Sequence, residues 1–265
     1  MEAIRVAIAG AGNVAAHLAA GIATADGYEL VAVASRNPSN AENLGAATTA
    51  ACRYGDLASF APDILIVSVA DKAIDDVTAA IGPMPPNTVV ALTSGTLAKE
   101  RLAPLSARNG IFYPFQTFTK GYATDLGCVP FFIEGATGQE AEILATLARK
   151  LSRSVHFADA AHRQQLHIAG VFTSNFTNTI IGVVQTILDN AGFSRDVAVP
   201  LLNQTLAKAA EIGAYAAQTG PAVRGDIAVM KKQLEELPEE FRPTYRALSQ
   251  LIMSQHNIPY EQNQL

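Results

Sequence analysis

The chain has 265 residues, which is long enough for one large domain or two modest ones with a buried core. Hydrophobic residues make up 49% and charged residues 16%, a composition that excludes a largely disordered protein. The formal net charge of −5, without any run of Lys or Arg, excludes a nucleic-acid-binding protein, and no apolar stretch reaches the roughly 18 residues that a membrane span needs. The two cysteines, Cys52 and Cys128, lack a metal-ligand spacing, so we predict no metal site and a reduced, cytoplasmic compartment.

Short apolar runs alternate with segments of helical composition over the first 160 residues. The runs that we predict as strands are Ile4–Ala9, Leu30–Ser35, Ile64–Val69, Val89–Thr93, Gly110–Tyr113, Phe131–Glu134 and Val155–Phe157. The segments that we predict as helices between them include Val14–Ala25, Ala73–Ile81 and Gln139–Leu151. This alternation is typical of a mostly parallel sheet with crossover helices, so residues 1–160 are predicted to form an α/β domain.

The pattern changes near residue 160, where consecutive helical segments replace the alternation. The segment His162–Asn190 has no proline and carries apolar residues at helical spacing, which predicts one long, buried helix. Ser194 is predicted to cap the next helix, whose early turns Pro200 should disturb. We therefore predict an all-α domain over residues 161–265 and expect its last six residues, which are mostly polar, to fray.

A glycine-rich turn links the first predicted strand to the first predicted helix. It reads Gly10-Ala11-Gly12-Asn13-Val14-Ala15. The first glycine permits a tight turn, and the second lets the backbone approach a pyrophosphate, whose charge is stabilised by the helix N-terminus. Glycine turns are common, but this one has a predicted strand before it and a predicted helix after it, which is the context that a dinucleotide-binding turn requires. The sequence therefore predicts a Rossmann-type domain, with Gly10, Gly12, Asn13 and Val14 binding a dinucleotide.

Three polar residues, Ser35, Arg36 and Asn37, follow the second predicted strand. An NAD site usually carries Asp or Glu here, about 20 residues beyond the glycines, to bind the ribose 2′-hydroxyl. Arg36 can instead make a bidentate contact with a 2′-phosphate, and Ser35 and Asn37 can donate further hydrogen bonds. The alternative is an ordinary solvated arginine. The position of Arg36 favours NADP over NAD.

Two further loops follow strands whose carboxyl ends should meet the cofactor. They are Val69-Ala70-Asp71-Lys72 and Thr93-Ser94-Gly95-Thr96. Ligands bind outside the carboxyl ends of strands in such sheets, so we expect Val69, Ala70 and Ser94 to face the nicotinamide half of the cofactor. Ser94 can hydrogen-bond the substrate or the nicotinamide amide, or it can be a turn residue that caps a helix starting near Leu97. The sequence leaves both alternatives open.

Polar residues form a stripe along one side of the long helix predicted over His162–Asn190. At about 100° per residue, five of them fall within roughly one third of the helix circumference. They are Gln164, His167, Ser174, Asn175 and Asn178. The stripe can be an internal hydrogen-bond network between helices. Alternatively it lines a cleft, with His167 as general acid and Asn175 as its orienting partner or a substrate ligand.

Weaker candidates for substrate binding are Gln116, Asn178 and Arg224. Gln116 belongs to the motif YPFQTF, whose aromatic residues we expect to serve in packing. Arg224 lies in a loop rich in glycine, where it can bind a substrate carboxylate or phosphate, or pair with Asp226. Asp226 can also cap the helix that follows it.

Several motifs taken together resemble a bacterial family of NADP-dependent oxidoreductases. The motifs are GAGNVA, SRN, YPFQTF, HIAGVFTSNFTN and TGPAVRGD. Members of this family join a Rossmann-like domain to a helical domain of uncharacterised function, and the resemblance covers essentially the whole chain. More distantly, the chain is similar to the group of 6-phosphogluconate dehydrogenase, ketopantoate reductase and pyrroline-5-carboxylate reductase. In that group the helical domain contributes to the substrate cleft and commonly to a dimer interface.

The chain departs from the hydroxyacid members of that group at the long helix. They carry a catalytic lysine a few residues before an asparagine, whereas this chain has His167 eight residues before Asn175 and no lysine there. Either His167 takes the role of the acid, or a water molecule does, as would suit reduction of an imine. We therefore predict an NADP-dependent oxidoreductase that transfers a hydride between NADPH and a small carbonyl or imine substrate, as a homodimer through the helical domain. One alternative is a non-catalytic NADP-binding sensor or assembly module. Another is an enzyme that uses a deazaflavin, against which Arg36 argues.

Overall fold

The computed structural model describes residues 2–259, whose strands form one eight-stranded sheet. The strands are β1 Ile4–Ala9, β2 Tyr28–Ala34, β3 Ala50–Cys52, β4 Ile64–Val67, β5 Val89–Leu92, β6 Asn109–Pro114, β7 Phe131–Gly135 and β8 Val155–Phe157. Their order across the sheet is β3-β2-β1-β4-β5-β6-β7-β8, and each neighbouring pair is parallel except β6 and β7. The prediction of a mostly parallel sheet is confirmed.

The described residues divide into two compact units after Asn175. The first unit contains the sheet and the helices α1 Asn13–Ile22, α2 Ile74–Ile81, α3 Gly138–Leu151 and α4 Ala160–Gly170. Its end lies beyond the predicted boundary at residue 160, because α4 is fastened to the sheet. Arg163 of α4 is 1% exposed, and its guanidinium binds the carboxylate of Glu134 on β7 and the carbonyl oxygen of Leu97.

The second unit is helical throughout its described part, as predicted. Its helices are α5 Thr177–Asn190, α6 Val199–Ile212, α7 Ala214–Ala217, α8 Pro221–Arg224, α9 Ile227–Glu236 and α10 Arg242–Gln255. A small core of Ala222, Met230 and Met253 joins α8, α9 and α10. The Asp226 side chain caps α9 by accepting a hydrogen bond from the backbone N–H of Val229, as predicted. The predicted fraying of the last six residues falls outside the described residues.

The region predicted as one long, buried helix differs from that prediction in two ways. The α-helical bonding is interrupted by a π-helical segment, Val171–Phe176, between α4 and α5. The apolar side is also exposed, since Ile168, Phe172 and Ile180 are 46%, 62% and 36% exposed.

The helix predicted after Ser194 also begins differently. The Ser194 hydroxyl caps a short 3₁₀ turn, and α6 follows from Val199. Pro200 lies in the first turn of α6 and does not disturb it, because a backbone N–H has no partner at that position. Gly213, with a φ of 86°, then separates α6 from α7.

Helices cover both faces of the sheet. Alternate residues of β1 point to opposite sides: Val6 and Ile8 pack in a core with α1 and α3, whereas Ala7 and Ala9 pack in a second core with α2. Because both faces are covered, the loops at the carboxyl ends of the parallel strands are the accessible part of the first unit. No helix in the range 2–259 is long and apolar enough to cross a membrane.

Candidate dinucleotide site

A cavity of about 1070 Å³ lies in the first unit, where the loops that follow β1, β2, β4, β5 and β6 come together with the end of α4. It brings together most of the predicted site residues: Gly10, Gly12, Asn13, Val14, Ser35, Arg36, Asn37, Val69, Ala70, Ser94, Gln116, His167 and Asn175. The remaining two, Asn178 and Arg224, belong to the second unit and do not line this cavity. No ion pair between Arg224 and Asp226 is found, so the structural alternative for Arg224 is not supported.

The glycine turn has the geometry that a pyrophosphate requires. Gly10 has a φ of +127°, and a β-carbon there would lie 1.9 Å from the carbonyl oxygen of Ser68, so only glycine fits. A β-carbon on Gly12 would meet nothing within 4 Å, because Gly12 faces open space. Gly12 also begins α1 without a side-chain cap, which leaves the first N–H groups of the helix available to a phosphate. This end of the cavity therefore fits a dinucleotide.

Arg36 is an exposed cation in the cavity wall, and no ion pair or hydrogen bond of its guanidinium is found within the described part of the chain. Burial raises the pKa of Tyr54, and the charge of Arg36 partly opposes that rise, which shows that the two side chains are close. Asn37 uses its side-chain oxygen to accept a hydrogen bond from the N–H of Ser39 at 3.3 Å. Arg36 is therefore the residue best able to bind a phosphate here.

The loops after β4 and β5 are joined through Asp71. One oxygen of its carboxylate accepts hydrogen bonds from the hydroxyls of Ser94, at 3.1 Å, and Thr96, at 2.6 Å. The Ser94 oxygen in turn accepts from the backbone N–H groups of Thr96 and Leu97, each at 3.1 Å. Since its hydroxyl hydrogen is engaged by Asp71, Ser94 has none left to donate to a substrate. These contacts favour the turn-capping alternative for Ser94.

The wall opposite these loops comes from α4 and the π-helical segment. His167, Thr173, Ser174 and Asn175 all line the cavity, whereas Gln164, which the predicted stripe included, does not. A π-helical turn holds more residues than an α-helical turn, so consecutive side chains are brought to one side. The imidazole of His167 is exposed, and no hydrogen-bond partner for it is found among residues 2–259.

The motif YPFQTF contributes more to the cavity than expected, since Tyr113 and Phe115 line it rather than serving only in packing. A β-carbon on Gly95 would lie 2.6 Å from the Tyr113 ring, so this glycine lets the phenol lie against the loop after β5. Gly170 of α4 similarly lets the helix approach the Phe115 ring. Burial raises the pKa of Tyr113, which keeps its hydroxyl protonated as a hydrogen-bond donor.

Sequence reasoning selected neither Asp71 nor Tyr113 as a site residue. The only signals in the sequence were the position of Asp71 after a buried strand and the small residues, Gly95 and Gly170, that face the aromatic pair. Within the described ranges, no group of three or more His, Cys, Asp or Glu side chains is placed to hold a metal ion.

Two family models match the chain. Residues 5–95 match the NADP oxidoreductase, coenzyme F420-dependent family, and residues 129–252 match a domain of unknown function, DUF2520. A comparison with curated proteins found no match.

Several solved structures are similar over almost the whole chain. A "putative NADP oxidoreductase" from Bacteroides fragilis is 31% identical, with a TM-score of 0.85 over 95% of this chain and 98% of its own. A pyrroline carboxylate reductase from Plasmodium falciparum with NADP bound is 15% identical, with a TM-score of 0.61 over 97% and 99% of the two chains. A reductive aminase from Aspergillus terreus, in complex with NADPH and ethyl-5-oxohexanoate, is 13% identical, with a TM-score of 0.70 over 99% and 98%.

The last two similarities establish the fold alone, whereas the first extends to the sequence. The two matched regions follow one another along the chain, and the DUF2520 match begins at residue 129, before β7 of the first unit. The predicted resemblance and the predicted cofactor, NADP, are both confirmed. The chain belongs to the same family of NADP oxidoreductases as the Bacteroides fragilis protein.

Proposed function

We propose that this oxidoreductase reduces a small imine or carbonyl compound with NADPH, and that His167 donates the proton. The supporting observation is that one cavity contains both the glycine turn and the imidazole of His167, for which the described residues supply no hydrogen-bond partner. NADPH supplies the hydride when it is bound. The residues of the chain bind the cofactor, orient the substrate and supply the proton.

His167 is the best candidate for the general acid. Its ring lies in the wall formed by α4, and since no group within residues 2–259 is found bound to it, both ring nitrogens can contact a substrate. Ser94 is a weaker candidate because its hydroxyl is already bound to Asp71. Ser174 and Asn175 lie in the same wall as His167 and are the groups that we expect to orient the substrate.

The charges in the cavity favour an imine over a keto acid. Among the residues that the structure describes, Arg36 is the only Lys or Arg in the cavity wall, and it belongs to the cofactor end. The loops expected at the nicotinamide carry the carboxylate of Asp71 instead. A protonated imine is stabilised by a nearby carboxylate, whereas a keto acid would meet a like charge without a compensating cation.

The test is a screen of NADPH oxidation over cyclic imines, ketones and keto acids. We expect turnover of at least one imine or ketone and the least turnover with keto acids. The variant His167→Gln should lower kcat by about 10²- to 10⁴-fold, the range for loss of a general acid, without weakening NADPH binding. The matched control is His162→Gln, five residues earlier in α4, where the imidazole binds Asp159 outside the cavity.

Two results would contradict this proposal. Equal kcat values for His167→Gln and wild type would remove His167 from the chemistry. Tight NADPH binding without turnover of any compound would favour the non-catalytic sensor or assembly module instead.

We also propose that two copies of the chain associate through the second unit. This unit exposes large apolar side chains on α5, α6, α7 and the turn between α5 and α6: Ile180, Ile187, Phe193, Val197, Val199, Leu201, Leu206, Ile212 and Tyr215. Soluble monomers rarely expose so much apolar surface in one region. A second copy is the expected partner because the chain resembles a group whose helical domain commonly contributes to a dimer interface.

A further inference from the structure

Arg163 of α4 is a buried cation that binds three different parts of the first unit. Its Nη1 donates hydrogen bonds to the carboxylate of Glu134 on β7 and, at 3.2 Å, to the carbonyl oxygen of Ala158, just before α4. Its Nη2 donates one to the carbonyl oxygen of Leu97, also at 3.2 Å. Because the guanidinium is planar and rigid, it holds these three groups at fixed relative positions.

Stability alone is a weak explanation for this buried network. Taking two charges out of water costs free energy that their attraction only partly offsets, so apolar replacements of a buried ion pair are often neutral or stabilising. The Nε of Arg163 is buried too, and no hydrogen-bond partner for it is found among residues 2–259. A buried donor in that state destabilises the fold. The positions that the network fixes explain it better.

The first of these positions is that of His167. His167 and Gly170 lie four and seven residues after Arg163, so all three are on one side of α4. Arg163 holds this side of the helix to β7 through Glu134, and Gly170 lets it approach the Phe115 ring. The imidazole, which lines the cavity, therefore belongs to a stretch of helix that is fixed at both of its ends.

The second position is that of residues 94–97, which we name the Ser94 turn. The carbonyl group of Leu97 accepts the hydrogen bond from Arg163, while the N–H group of Leu97 donates one to the Ser94 oxygen at 3.1 Å. Ser94 in turn donates to the Asp71 carboxylate. Ser94 and Asp71 line the cavity on the side opposite α4. The buried guanidinium is thus connected, through Leu97, to both walls of the cavity.

We propose that Arg163 is a positioning residue, which fixes the distance between His167 and the Ser94 turn. The proposal rests on the reaction proposed above, in which His167 supplies the proton and the loops after β4 and β5 face the nicotinamide. A displacement of about 1 Å between reacting groups can lower a rate about 10²-fold. Arg163 itself does not line the cavity, so it acts through the two walls and not on the cofactor or substrate.

The first test is Arg163→Lys, which keeps a positive charge beside Glu134. A single ammonium group does not reproduce the planar fork of N–H groups, so the contact with Leu97 should be lost. We expect kcat to fall about 10- to 100-fold for an imine or ketone that the wild type reduces. The dissociation constant of NADPH should change little, because the glycine turn and Arg36 are untouched.

The matched control is Arg108→Lys. Arg108 also binds a carboxylate, that of Glu140, and a backbone carbonyl group, that of Asn87, but none of these three residues lines the cavity. This variant should keep the wild-type kcat even where its stability is lowered. A wild-type kcat for Arg163→Lys, or an equal fall of kcat in both variants, would overturn the proposal.

A second variant separates position from stability. The double substitution Arg163→Met and Glu134→Met replaces the buried pair with apolar side chains, and Lys99 keeps Glu100 as its partner at 3.0 Å. Such a replacement is expected to preserve the fold. A stable double variant with a kcat as low as that of Arg163→Lys would support the proposal. A stable double variant with the wild-type kcat would overturn it.

A third measurement needs no substrate. The fluorescence of NADPH rises when its nicotinamide ring is held rigidly in a protein. We expect Arg163→Lys to lose much of this rise at saturating NADPH, and Arg108→Lys to show the rise of the wild type. If no compound is turned over, this measurement decides alone. A loss confined to Arg163→Lys would then uphold the positioning role and refute only the proposed reaction, whereas equal fluorescence in all three proteins would overturn the positioning role.

Discussion

Arg36 has a full positive charge at the cavity surface and no acidic partner in the described part of the chain. A guanidinium in this state is bound to water until an anion replaces that water, and no internal ion pair has to be broken first. Its planar fork of N–H groups matches the oxygens of a phosphate. This makes the preference between NADPH and NADH depend strongly on one side chain.

Arg36→Ala should therefore weaken NADPH binding by about 10- to 100-fold, because hydrogen bonds to charged groups are lost. NADH has no 2′-phosphate, so its binding should change much less. Fluorescence titration of both cofactors measures the two dissociation constants. Arg101→Ala is the control, since this exposed arginine pairs with Asp75 and does not line the cavity. If the binding of NADPH and NADH weakened equally, Arg36 would not be the residue that binds the 2′-phosphate.

Site residues differ in how far their sequence context reveals them. The position of Gly10 and Arg36 in the cavity wall could be predicted, because it depends on a local turn and on a place directly after a strand. Tyr113 could not be predicted, because its place in the cavity depends on packing against Gly95 of another loop. Asp71 stood in a loop that was expected at the site, but its two hydroxyl partners come from another loop.

At the scale of elements, the N-terminus of α3 is capped by a network of side-chain hydrogen bonds. The Thr137 hydroxyl accepts a hydrogen bond from the N–H of Gln139 and donates one to the Glu140 carboxylate, which is also bound by Arg108 at 2.9 Å. The Thr137 hydroxyl and the Arg108 guanidinium hold the pKa of Glu140 below its ordinary value. Glu140 is 4% exposed, so removal of its charge leaves Arg108 with a poorer partner.

Glu140→Gln should lower the free energy of unfolding by about 1–2 kcal/mol near neutral pH. A carboxyl with a lowered pKa stabilises the fold fully above its ordinary pKa, and this contribution is lost as the pH falls through the folded value. The deficit of the variant should therefore shrink under acid conditions, as measured by urea unfolding over a pH series. Glu142→Gln, whose exposed carboxylate pairs with Arg149, should show little deficit. A deficit that grew on acidification would contradict this assignment.

Most strands could be predicted because they are short runs rich in Val, Ile or Phe between helical segments. β3 was missed, since Ala50-Ala51-Cys52 has no β-branched residue and becomes a strand only through its pairing with β2. The π-helical segment was also missed, because its residues have the same apolar spacing that predicts an α-helix. In both cases tertiary context, rather than local preference, determines the backbone.

At the scale of the whole molecule, the exposed apolar surface of the second unit predicts self-association. Leu206→Glu should raise the dissociation constant of a dimer by about 100-fold, because it would bury an unpaired carboxylate. Sedimentation equilibrium measures this constant directly. The control is Leu251→Glu. Leu251 is 50% exposed and Leu206 is 72% exposed, but Leu251 lies on α10, outside the surface proposed for the dimer. A wild-type protein that remained monomeric at high concentration would contradict the proposed dimer.

The two edges of the sheet, β3 and β8, are each three residues long. An edge strand offers unpaired N–H and C=O groups to any extended chain, and a strand of three residues offers very few of them. The broad, apolar sheet is therefore protected from recruiting a foreign strand and growing into a fibril. The surface proposed for dimer formation lies on α5, α6 and α7 instead, so we expect that substitutions there leave both edge strands, and the resistance to aggregation that they provide, unchanged.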